Sequence, residues 1–191
     1  YPVETNALSA VEATFEIRKK LKKININKIK KINIYTFNAA YEIIADKKKW
    51  NPKNRETADH SLPYIVCVAL IDGKVTEEQF SMKRINSVDI KNLIKKVNVH
   101  ESEECNKDYY PGMPNIVEVI LNNGNKFSSK VINARGTYKN QMSDSEIEEK
   151  FKSLTKKFLT QRKINLALDF LWNLDKEKDI RKLFHLLLVK N

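Results

Sequence analysis

The spacing of hydrophobic residues changes several times along this chain, and each change marks an element. Residues 7–22, ALSAVEATFEIRKKLK, set Ala7, Leu8, Val11 and Phe15 on one stripe with Lys and Glu opposite, the 3.6-residue period of a helix. KIKKINIYT at 28–36 alternates Ile29, Ile32 and Ile34 with polar residues in strand fashion, and NAAYEIIAD at 38–46 reads as a short helix. KKKWNPKN at 47–54 reads as a loop. The segment 62–72 is almost wholly apolar; its length, Ala69 and the closing Asp72-Gly73 favour a buried helix over a strand. A helix over 87–96 and a strand over 97–101 follow. NIVEVIL and KFSSKVI flank Asn122-Asn123-Gly124-Asn125, which predicts a β-hairpin with Val117, Val119 and Leu121 on one face and Glu118 on the other. After Arg135-Gly136, Ser143 and Glu146 form a capping box ahead of a helix striped by Ile147, Phe151, Leu154 and Phe158. INLALDFLWNL at 164–174 and IRKLFHLLLV at 180–189 are apolar on nearly every face, so they call for partners on all sides. The expected class is α+β: helices with short, partly antiparallel strands over 1–137, then an all-helical segment over 138–191. The unsatisfied apolar helices and the abrupt Tyr1-Pro2 opening suggest part of something larger.

Composition excludes some functions. With 191 residues, 41% hydrophobic and 31% charged, the chain suits a folded globular protein. No apolar run is long enough to span a bilayer and the first residues do not resemble a secretory signal, so a cytoplasmic location without membrane contact is expected. Cys67 lies in the apolar run and reads as a small core residue, and Cys105 as an exposed thiol. Two cysteines and three scattered histidines give no metal-ligand spacing, so no metal held by a recognisable motif is expected. His100 reads as a surface residue and His185 as a satisfied interface residue. The net charge of +11 comes from lysines spread along the chain, densest at 19–31 and 47–49, without interleaved aromatic residues. That pattern fits a solvated surface better than nucleic-acid binding, and it leaves attraction of a polyanionic substrate open.

The densest chemistry is NRETADHSLPY at 54–64, immediately before the apolar run. Ser61 and Pro63 suit the start of a helix, whose free N–H groups favour anions. His60 and Tyr64 would then place a proton carrier and a phenol near an anion, and Arg55 could clamp a carboxylate. The same residues also permit a plain capping network, with Asp59 or Ser61 as cap, Arg55 paired to Glu56 or Asp59, and His60 simply exposed.

Several stretches in order resemble one known family. Tyr1-Pro2 with Glu4 and SAVEA at 9–13 resembles its YPAE…TAVEA segment, and Trp50-Asn51-Pro52 and RETADHSLPY follow as expected. VEVIL with Asn-Asn-Gly, and RGTYKNQMSDSEIEEKF, resembling RG…NP-SD-E---KF, complete the match. The chain thus resembles the MmgE/PrpD family, the 2-methylcitrate dehydratases and their relatives. The resemblance implies a small α+β lid followed by the C-terminal helices of a larger helical domain, with the upstream helical region as packing partner and a homodimer as the assembly.

It also implies cofactor-free elimination on a small polycarboxylate, dehydrating 2-methylcitrate or citrate to a cis-aconitate-type product, in a cleft that needs residues from both domains. The lid alone is then expected to be inactive. Under that resemblance Tyr64 faces the cleft as a proton donor or substrate hydrogen-bonder, and His60 transfers a proton or binds a carboxylate. Arg55 and Arg135 are candidate carboxylate binders. Asn6 stands where many dehydratases of the family have His; it can hydrogen-bond a carboxylate but cannot shuttle a proton. That departure keeps two related readings, a decarboxylase or an epimerase on a similar acid. A basic nucleic-acid or protein interaction module is the alternative from another class, and it would require Lys19–Lys31 to form one continuous basic face.

Overall fold

The computed structural model describes residues 1–21 and 25–189. The chain divides into two compact units, Tyr1–Asn140 and Gln141–Asn191. The expected basic face over Lys19–Lys31 falls partly on residues 22–24, outside the described residues.

In the first unit a 3-10 turn, Thr5–Ala7, leads into helix α1, Leu8–Leu21. Strand β1, Ile29–Thr36, and helix α2, Asn38–Ile44, follow. Three helices come next: α3, Arg55–Asp59, α4, Leu62–Asp72, and α5, Met82–Ile85. Helix α6, Val88–Ile94, strand β2, Val97–Glu101, and helix α7, Glu103–Asp108, precede the hairpin of β3, Asn115–Leu121, and β4, Lys126–Val131. The strands form one mixed sheet in the order β2-β1-β3-β4, with β1 parallel to β2 and antiparallel to β3. The parallel pair forms because the intervening segment contains α2 to α6, long enough to carry the chain back to the start of the sheet.

Alternation along the strands splits the sheet into two faces. Ile32, Ile34, Val97, Val99, Val117 and Val119 are buried on one face, against which α1 and α4 pack. Lys31, Tyr35, His100, Glu118 and Lys130 lie on the other face, where His100 is exposed and its ring stacks on Tyr35 at 5.4 Å. The buried residues of α1 are Ser9, Ala10, Val11, Ala13, Thr14 and Ile17, and Ala7 of the preceding turn is buried with them. Leu8 and Phe15, expected on the buried stripe, are only partly buried, because small residues at 7, 10 and 13 bring the helix close to its neighbours. Cys105 is buried rather than exposed, since α7 folds back over β1 and sets its Sγ 3.5 Å from the Tyr35 carbonyl.

Helix α4 is the innermost element: Leu62 through Leu70 are all buried. Ser61 caps its start, accepting from the Tyr64 N–H at 3.2 Å, and Pro63 occupies the first turn, where no N–H is needed. At its end Gly73 takes φ +66 and Arg18 of α1 donates to the carbonyls of Leu70 and Ile71. A Cβ at Gly73 would displace that guanidinium, but it is the left-handed backbone that calls for glycine there. The hairpin turns through Asn122–Gly124, with Gly124 at φ +87.

In the second unit helix α8, Asp144–Thr155, carries the Ser143–Glu146 capping box. Helix α9, Gln161–Trp172, buries Ile164, Ala167, Leu168 and Phe170. Trp172 reaches back to α8, its Nε1 donating to Glu148 at 3.1 Å. Helix α10, Arg181–Leu187, buries none of its residues. Ile147, Leu154, Phe158, Leu166, Phe184 and Leu188 are exposed in this unit. His185 is exposed as well.

One polar network closes the α4–α6 corner. Arg84 of α5 donates through Nε and Nη2 to Asp72 and through Nη1 to Asp89, with Asp72 and Arg84 only 16% and 17% exposed. Arg84→Ala would leave both carboxylates without their cation, and we expect it to cost about 2–4 kcal/mol, read as a lower urea midpoint with unchanged slope.

Candidate functional site

The RETADHSLPY segment breaks into two helices at one corner. Asn54 and Thr57 form a capping box that starts α3, with the Thr57 N–H donating to Asn54 at 2.9 Å and the Asn54 N–H to the Thr57 hydroxyl at 3.1 Å. Helix α3 ends after one turn because Ser61 must cap α4, so His60 lies at the bend between them. Its side chain is 46% exposed, and Nδ1 lies 2.6 Å from Asp59 Oδ1 and 3.1 Å from the Glu56 carbonyl.

The chain start lies against this bend. The Glu4 N–H donates to the Asp59 carbonyl at 3.0 Å, and the Glu4 carboxylate accepts from the Asn6 N–H at 2.8 Å. Asn115, buried at the start of β3, donates to the Asn6 carbonyl and to the Ser9 hydroxyl, each at 2.8 Å. The chain start is thereby pinned to the end of the sheet. Burial pushes the Glu4 carboxyl above its ordinary value; the Asn6 N–H and the field of His60 oppose that rise. Backbone contacts therefore bring Glu4 and Asn6 beside Asp59 and His60; His60 is exposed and the other three are half-buried. Among the described residues no hydrogen bond engages the Asn6 side-chain amide.

The other expected site residues have partners of their own. Arg55 is exposed at the start of α3, its Nη2 3.3 Å from Glu77 rather than paired with Glu56 or Asp59. Arg135 sits beside α1: its backbone N–H donates to Glu12 at 2.7 Å and its Nη1 to Asn140 at 2.9 Å, next to Gly136 at φ +95. Tyr64, expected to face a cleft, is fully buried in this unit, its hydroxyl donating to the Gln79 carbonyl and its ring 5.9 Å from Phe80. It points inward because it lies one turn into a helix that is apolar all round and is covered on that side by the Glu77–Phe80 turn. Burial raises its phenol well above the ordinary value, and nearby Arg84 opposes this. Sequence reasoning treated Asp59 only as a cap or ion-pair partner and gave Glu4 no role; their signal was adjacency, one beside His60 and the other two residues before Asn6. Among the described residues no group of His, Cys, Asp or Glu could hold a metal ion, and no helix is long and apolar enough to cross a membrane.

The model of the MmgE/PrpD C-terminal domain matches residues 1–174. The chain belongs to this family. Among curated relatives, the MmgE/PrpD chain is 23% identical to cis-aconitate decarboxylase of Mus musculus over 136 residues, which cover 71% of this chain and 28% of the relative. It is 27% identical to the Homo sapiens protein of the same name, over 71% of this chain and 28% of the relative. To 2-methylcitrate dehydratase of Salmonella typhi it is 26% identical over 181 residues, 88% of this chain and 37% of the relative. The chain thus spans between about a quarter and two-fifths of the length of these relatives.

Two outcomes test this geometry. Glu4 has a raised carboxyl, so as pH climbs past the ordinary value of 4.5 the unfolded chain ionises before the folded one and stability falls. Glu4→Gln should remove that contribution, so the variant gains on the parent as pH rises from 4 to 7 in paired urea melts. Tyr64→Phe should cost about 1–2 kcal/mol by leaving the buried Gln79 carbonyl without its donor, measured in the same melts.

Proposed function

We propose that this MmgE/PrpD chain forms the lid side of a lyase site for a small polycarboxylate, with His60 as its proton-exchanging group. The observation that carries this reading is the half-exposed His60 ring, held at Nδ1 by Asp59, within the region matched to the family. In the dehydration of 2-methylcitrate or citrate, the C–H bond next to a carboxylate breaks and its electron pair becomes the C=C bond. The hydroxyl leaves as water with a proton from an acid, and each transfer needs a group such as imidazole within hydrogen-bond reach. Asn6 and the exposed Arg55 are suited to hold substrate carboxylates, and Arg135 is a further candidate carboxylate binder. The buried hydroxyl of Tyr64 supports a structural role in this conformation more than direct contact with substrate.

The remaining groups come, on this reading, from an upstream helical region of the same protein. The exposed apolar residues of the second unit, Phe158, Leu166 and Phe184 among them, support a helical partner of that kind. The assembled enzyme is a cytoplasmic homodimer without a cofactor, and the chain alone is inactive. A second reading is favoured by the relatives named cis-aconitate decarboxylase. There a C–C bond to a carboxylate breaks, carbon dioxide leaves, and the carbon takes a proton, which imidazolium could supply.

The test uses a longer polypeptide that restores the upstream region. It should form the unsaturated product from 2-methylcitrate or citrate, followed by absorbance, and His60→Asn should cut that rate about 100-fold or more. Carbon dioxide release from cis-aconitate instead would select the second reading. An active enzyme indifferent to His60→Asn would refute the role given to His60.

A further inference from the structure

His60 Nδ1 lies within hydrogen-bond distance of two groups, the Asp59 carboxylate at 2.6 Å and the Glu56 carbonyl at 3.1 Å. Both are acceptors, since an ionised carboxylate and a backbone carbonyl carry no hydrogen to donate. The ring must therefore bring the hydrogen itself. A neutral imidazole has one N–H, so placing it on Nδ1 leaves the lone pair on Nε2, at the other edge of the ring.

Asp59 is well fixed for this task. It is the last residue of α3, its carbonyl accepts from the Glu4 N–H at 3.0 Å, and its side chain is 22% exposed against 46% for His60. The more buried member of the pair is thus the carboxylate, and the more open member is the ring. A carboxylate that orients a working histidine needs this arrangement, the acid backed by the fold and the ring open.

We propose that Asp59 is a positioning residue, which holds His60 in the Nδ1–H tautomer and turns Nε2 outward as the atom that exchanges protons. This deepens the reading of His60 given above and rests on it for what the proton is exchanged with. Resting His60 is then a proton acceptor at Nε2. In a dehydration it takes the substrate proton as the C–H pair forms the double bond, and the resulting imidazolium, its charge balanced by Asp59, can pass that proton to the departing hydroxyl as water.

The tautomer itself is the test, and it needs neither substrate nor the upstream region. Ring 15N shifts of His60 in the 191-residue chain, assigned by loss of the signals in His60→Asn, are read at a pH where the ring is neutral. The expected result is a protonated Nδ1 and a bare Nε2, with Asp59→Asn shifting the population towards Nε2–H and Asp59→Glu restoring part of the Nδ1–H form. A parent ring that is mainly Nε2–H would overturn the proposal, and so would a tautomer unchanged by Asp59→Asn in a variant with a native amide spectrum. If Asp59→Asn does not fold, the parent measurement still decides. The lyase reading fails separately, through an indifferent His60→Asn in the activity assay. Where that enzyme is active, Asp59→Asn should lower kcat by about 10- to 100-fold with little change in KM. An unchanged kcat would deny Asp59 its positioning role even if the tautomer shifts.

Discussion

Everything in the first unit follows from the need to bury α4 on every side. Nine consecutive residues from Leu62 to Leu70 have no accessible face. A helix of that kind is stable only inside a shell, because each exposed Leu, Ile or Val side chain would forfeit about 1.5–3 kcal/mol of transfer free energy. The shell is assembled from different parts of the chain: the sheet and α1 on one side, α3, α6 and the Glu77–Phe80 turn on the others. Its ends are closed by polar groups chosen for that purpose. Ser61 and Pro63 start it, and Arg18 with Gly73 finishes it. The Arg84 network and the Tyr64 hydroxyl are consequences of the same burial, since polar groups brought near such a core must find partners.

Periodicity made much of this legible. The apolar run with its closing Asp-Gly read as a helix, the Asn-Gly hairpin as a hairpin, and Ser143–Glu146 as a capping box, because each signal is local. What was hidden depends on contacts distant in sequence. Helix α3 is a single turn with one buried residue, Ala58, too short to show a period. Cys105 looked exposed within ESEECNKD because only the packing of α7 against β1 covers it. Arg84, Asp72 and Asp89 carry no shared spacing that would announce a network, although two arms of one guanidinium join them.

The site was legible in the same uneven way. The concentration of polar chemistry before the apolar run pointed to His60, and the fold does leave its ring half exposed. The direction of Tyr64 was not legible, because a tyrosine at the first turn of a helix can point to solvent or to the core. The decision belongs to the Gln79 carbonyl, fifteen residues on, which accepts its hydroxyl. Arg55 was named for its place before the apolar run and Arg135 from the family resemblance. The chain engages them with different partners, Glu77 for the Arg55 guanidinium and Glu12 for the Arg135 backbone N–H, and neither contact could be read from the sequence.

The placement of His60 is itself a product of the buried helix. Ser61 must stand at the N-terminal end of α4 to receive the Tyr64 N–H, and its hydroxyl also donates to the Lys49 carbonyl. The residue before it cannot continue α3 and cap α4 at once, so the chain bends at His60 with φ −105 and ψ 16. That bend brings the ring back over the last turn of α3, where the Glu56 carbonyl and the Asp59 carboxylate meet Nδ1. Shifting His60 by one residue would either uncap α4 or carry the ring away from Asp59. The histidine is therefore held by the most deeply buried element in the unit although its ring is half exposed, and such rigid backing lets an exposed side chain keep one orientation for chemistry.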